Sequence, residues 1–122
     1  MLHVCMIQIS VSDLDKAIEW YSKTLGLEIS KEHYHHLVAV DLVHRGIRFF
    51  LHRADKPTTI DYPNVSQTRI RIQTDNIVKK MDDLKHKGVE LLHEIPQDFP
   101  AGKFTAFRDP FGNVHELLEL KS

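Results

Sequence analysis

Over residues 3–11, apolar and polar side chains alternate. Cys5, Ile7 and Ile9 fall on one face and Met6, Gln8 and Ser10 on the other, the period of a half-buried strand. The period then lengthens. Leu14, Ile18, Tyr21 and Leu25 fall at i, i+4, i+7 and i+11 and predict an amphipathic helix. Ser12 is its expected N-cap, with Asp15 three residues on in a capping-box arrangement, and Gly26 its expected stop. Strands are expected near residues 27–33, 36–43 and 47–53, the last two joined by a turn at His44-Arg45-Gly46.

The order then repeats. Arg69-Ile70-Arg71-Ile72-Gln73 alternates like the first strand, and Ile77, Met81 and Leu84 mark a second helix that stops at Gly88. Gly88-Val89-Glu90-Leu91 echoes Gly26-Leu27-Glu28-Ile29. Strands are expected near 103–108 and 113–120, separated by Asp109-Pro110-Phe111-Gly112, whose Asp, Pro and Gly suit a type I turn. Residues 54–66, polar and containing Pro57 and Pro63, are expected to be a linker. The pattern predicts an α+β chain, a single domain of two tandem βαβββ modules over 1–53 and 67–122. Each module is too small for a large core of its own, so the pair is expected to share one or to exchange surfaces in a homodimer.

Composition changes this picture little. The 122 residues are 42% hydrophobic and 27% charged, which excludes a disordered tail or a fibre. No apolar run approaches a membrane span, and the first residues lack the pattern of a secretory leader, so none is expected. The single cysteine fits a reducing compartment, and a cytoplasmic protein is expected. A net charge of −1 offers no footprint for nucleic acid or a membrane surface. Nine histidines, however, raise the question of a metal.

Val11-Ser12-Asp13-Leu14, Trp20-Tyr21, Leu25-Gly26-Leu27 and Asp109-Pro110-Phe111-Gly112-Asn113, followed by Glu116-Leu117, run over nearly the whole chain. In these motifs the chain resembles the vicinal oxygen chelate superfamily: glyoxalase I, bleomycin-resistance proteins, extradiol dioxygenases and fosfomycin-resistance enzymes. The resemblance implies curved sheets around a cavity. In metal-dependent members each module supplies two ligands, one from its first strand and one from its last. Carried over by motif distance, those positions are Met6, Phe50, Arg69 and Glu116. Only Glu116 keeps a ligand: Arg69 stays protonated, Phe50 has no donor atom, and a thioether suits hard cations poorly. No cofactor is therefore expected, and a divalent metal only at a non-standard site.

Glu116 also stands out on its own, because a carboxylate interrupts the apolar stripe of Val114, Leu118 and Leu120. It faces either a cavity or a solvated strand edge. Arg69, Arg71 and Gln73 share the polar face of their strand, which meets water or else sets Arg69 against Glu116, with Arg71 nearby for an anionic or carbonyl-bearing ligand. His52 shares the face of Phe50 and is the candidate proton donor or acceptor at a cavity mouth, while His33 and His35 share a strand face without a recognisable metal motif. His44, His86 and His93 are expected at the surface, and Trp20, Tyr21, Phe49 and Phe107 in the core. Met6, Gln8, Phe50 and Phe104 complete the expected ligand-binding set. Residues 96–102 form either a rim or an ordinary connection. The functional expectation is bleomycin-resistance-like binding of a small, partly apolar molecule without metal. The alternatives are a glyoxalase- or dioxygenase-type enzyme using Glu116, His52 and other histidines, and an interaction module whose cavity has filled.

Overall fold

A computed structural model of the chain describes residues 7–34, 37–41, 49–64 and 69–121, with backbone alone at 30–34, 37–41 and 49. The chain divides between Thr58 and Thr59 into two compact units. Met6, the turn at 44–46, His35 and the side chains of His33 and Phe49 lie outside the described residues.

The first unit holds β1 (Ile7–Val11), α1 (Leu14–Glu19), β2 (Glu28–Tyr34), β3 (Leu37–Asp41) and β4 (Phe49–Arg53). Its sheet runs β1-β4-β3-β2, with β1 parallel to β4 and the other pairs antiparallel. The helix starts one residue later than its capping pattern suggested. Asp13, not Ser12, is the N-cap, extended at φ −141° and accepting from the Lys16 amide at 3.0 Å. Two capping side chains stand in a row here, and the one with a reachable amide wins. After Glu19 the helix widens into a π turn over Trp20–Thr24. Ala17 and Tyr21 are buried, as are Ile9, Val11 and Leu51 on one face of the sheet, whereas Trp20 is half-buried and set edge-on to Tyr21.

The second unit holds β5 (Arg71–Gln73), α2 (Ile77–His86), β6 (Glu90–Leu91), β7 (Gln97–Phe99), β8 (Gly102–Arg108) and β9 (Val114–Leu120). The sheet order is β5-β9-β8-β6, with β5 parallel to β9 and β7 pairing with β8. Asn76 caps α2 by accepting from the Lys79 amide at 3.1 Å, and Ile77, Met81 and Leu84 are buried along its apolar stripe. The positive φ of Gly88 (81°) lets the Val89 amide return to the Leu84 carbonyl, which closes the helix. On the sheet face toward which Glu119 caps the Ile77 amide, Thr105, Phe107, His115 and Leu117 are buried. The segment 96–102, expected as a rim or connection, contains β7 and turns directly into β8.

The turn between β8 and β9 sets the register that the site depends on. Asp109, buried, accepts from the Phe111 and Asn113 amides and from the Asn113 side chain, each at 2.8 Å. With the turn tied to one carboxylate, the strands pair so that Ala106 lies opposite Glu116, and Glu116 opposite Arg71.

Candidate functional site

Glu116 points from the centre of β9 onto the face shared by Val114, Leu118, Ala106 and Phe104, and its side chain is only 7% exposed. A carboxylate buried to that degree needs partners, and three side chains supply them. Arg71 Nε lies 2.8 Å from Glu116 Oε1, Tyr62 Oη–H donates to Oε2 at 2.8 Å, and Arg69 Nη1 stands 3.9 Å from Oε2. Sequence distance placed Arg69 opposite Glu116 with Arg71 nearby. The structure keeps Arg69 paired with Glu116 and adds a closer contact from Arg71, because parallel pairing of β5 with β9 sets Arg71 directly across from Glu116. Arg69 is held by its Nη2, which donates to the Pro63 carbonyl at 2.9 Å, and its guanidinium lies over the Tyr62 ring at 4.8 Å.

Tyr62 lies in the stretch expected to be a linker. From Thr59 onward that stretch belongs to the second unit, where Arg108 also holds the Ile60 carbonyl at 3.1 Å. Burial pushes the Tyr62 phenol up to about 12, and the hydrogen bond to Glu116 and its negative charge add to this against the opposing pull of Arg69 and Arg71. The phenol therefore stays a donor at neutral pH.

An aromatic row borders the charged group. Tyr62, His93, Phe104 and Phe99 meet edge to face in sequence, with ring centroids 6.2, 5.6 and 5.7 Å apart. Arg71 lies over the Phe99 ring at 5.5 Å, which joins the row to the carboxylate. His93, expected at the surface, is half-buried here and shares a hydrogen bond with Thr105 Oγ1 at 3.1 Å. A histidine among charged residues gave no sequence signal of this packing. His86 is exposed, as expected.

The structure thus brings Arg69, Arg71 and Glu116 together, with Phe104 joined to them through Phe99. In the first unit, register puts Gln8 beside Phe50 and Ser10 beside His52 on one sheet face. There Phe50 is buried, His52 half-buried and Gln8 exposed.

Residues 2–117 match the family model of the Glyoxalase/Bleomycin resistance protein/Dioxygenase superfamily. The chain belongs to this superfamily.

Solved structures share its fold. A superfamily member from Sphaerobacter thermophilus is 28% identical, covers 98% of each chain and superposes with a TM-score of 0.76. TnmS3, an antibiotic binding protein from Streptomyces sp. CB03234, is 24% identical over 99% of this chain and 98% of its own, with a TM-score of 0.74. Lactoylglutathione lyase from Agrobacterium tumefaciens is 18% identical over 96% and 92%, with a TM-score of 0.70. The last two show a common fold and nothing finer. In this superfamily member, no helix among the described residues is long and apolar enough to cross a membrane.

The donor set around Glu116 does not suit the divalent cation held by metal-dependent relatives. Its oxygens already face Arg71 and Tyr62, and a cation there would sit beside two permanent guanidinium charges. Among the described residues, no group of three or more His, Cys, Asp or Glu side chains is placed to hold a metal ion.

Proposed function

We propose that this superfamily member binds a small, partly apolar organic molecule against the Arg69–Arg71–Glu116 face, with no divalent metal at that position. One observation carries the reading. The carboxylate that would anchor a metal is neutralised by guanidiniums, while the aromatic row beside it offers apolar contact. Polar groups placed among aromatic rings suit ligand orientation, and the high pKa of Tyr62 suits it as a hydrogen-bond donor more than as a proton donor in catalysis. An antibiotic binding protein among the fold neighbours shows only that this fold can serve binding. We assign the protein to the cytoplasm as a homodimer, in keeping with its lone cysteine and half-sized modules.

Thermal-shift screening of aromatic small molecules on tag-free protein tests the reading. Stabilisation by a hit is expected to persist in EDTA and to be lost in Arg71→Gln. Stoichiometric Ni, Zn, Mn or Fe that disappears in Glu116→Ala would establish the metalloenzyme alternative instead.

A further inference from the structure

We propose that the Arg–Glu face selects a planar aromatic ligand carrying a single negative charge. This rests on the small-molecule reading above and adds the ligand's charge and shape. Arg69 and Arg71 are permanent cations, and Glu116 is the one carboxylate between them, so the group carries one positive charge in excess. The neighbouring ion pairs, Arg108 with Glu90 at 2.9 Å and Lys103 with Asp98 at 2.8 Å, cancel within themselves and leave that excess in place.

Donors also outnumber acceptors. Glu116 occupies only the Nε edge of Arg71, whose two terminal nitrogens have no hydrogen-bond partner among the described residues. That side chain is 47% exposed, so an incoming group can reach it. A planar fork presenting two parallel N–H groups matches a carboxylate in bidentate fashion. Arg69 Nε is a second surplus donor, buried with no acceptor among the described residues.

Shape follows from the rings. Phe99 lies under the Arg71 guanidinium and edge-on to Phe104, and both rings are half-buried. An acid group on the Arg71 fork sits beside the side chain that covers Phe99, so a flat ring suits the aromatic surface that Phe99 and Phe104 form there. A cationic ligand meets the excess positive charge. A dianion brings a second charge for which the group holds no further counter-charge.

Isothermal titration at low salt with four probes of one shape tests this: 2-naphthoate, 2-naphthamide, 2-naphthylmethylammonium and 2,6-naphthalenedicarboxylate. Naphthoate is expected to bind at least tenfold tighter than the amide and tighter than the dicarboxylate, with the ammonium weakest. In Arg71→Gln, checked for folding by circular dichroism, the tenfold preference for naphthoate should fall below threefold while the amide is unaffected. Equal or tighter binding of the amide, the ammonium or the dicarboxylate would overturn the inference and leave the small-molecule reading standing. No binding by any probe would overturn both.

Discussion

Acid should loosen the sheet that carries the site, through His115. This side chain is 3% exposed, stands 4.0 Å from Asp109 and packs against Phe107 with ring centroids 5.6 Å apart. Burial holds its imidazole down from 6.5 to about 4, against the smaller opposing pull of Asp109. The folded protein therefore binds fewer protons than the unfolded chain between those two values. The stability this represents is complete above about pH 6.5 and is lost as pH falls toward about 4. Each pH unit inside the window removes up to about 1.4 kcal/mol, giving a loss of about 2 kcal/mol by pH 5 and ~3 kcal/mol in full. Urea unfolding followed by circular dichroism at pH 7.5, 6 and 5 reads the effect as a midpoint falling by about 1 M. His115→Gln removes the titration, so its midpoint should fall much less over the same range. Parallel pH profiles for the two proteins would refute the reasoning. Because His115 neighbours Glu116 on β9 and contacts the turn carboxylate, the same protonation should weaken ligand binding in acid.

Two further substitutions probe the scaffold. A Cβ at Gly102 would collide with the Glu119 carbonyl oxygen and lie 3.0 Å from Leu120 Cα, at a φ of 152° that side chains disfavour. Gly102→Ala should thus cost roughly 2–4 kcal/mol, read as a Tm lower by about 10 °C, and an unchanged Tm would contradict so close an approach of β9 to Gly102. Asn76→Ala removes the α2 cap and should cost about 1 kcal/mol in chemical denaturation, with Asn76→Asp near wild type.

The fold was largely legible because its cues are local. The Ile77, Met81 and Leu84 stripe, the glycines that stop both helices and the Asp109 turn each act within a few residues of themselves. Glu116 was legible for a different reason: a charge inside an apolar stripe needs an explanation wherever it occurs. Tyr62 was hidden, since its contact with Glu116 spans 54 residues of chain and begins in a polar, proline-containing stretch that carries no periodicity. His93 and β7 were missed for the same physical reason, as their places come from packing against β8 and not from their own neighbours in sequence. Counting along the repeat found the Arg69–Glu116 pair but not the closer contact of Arg71 with Glu116, which is set by parallel strand register.

An organic ligand held on guanidinium and aromatic groups, in place of a metal, should be visible at the arginines themselves. The side-chain Nε–H resonances of Arg69 and Arg71 can be followed by NMR as aromatic probes, charged and neutral, are added in EDTA. Saturable shifts of both resonances are expected at one equivalent per chain. Resonances that ignore every probe and respond only when a divalent metal is supplied without EDTA would contradict it.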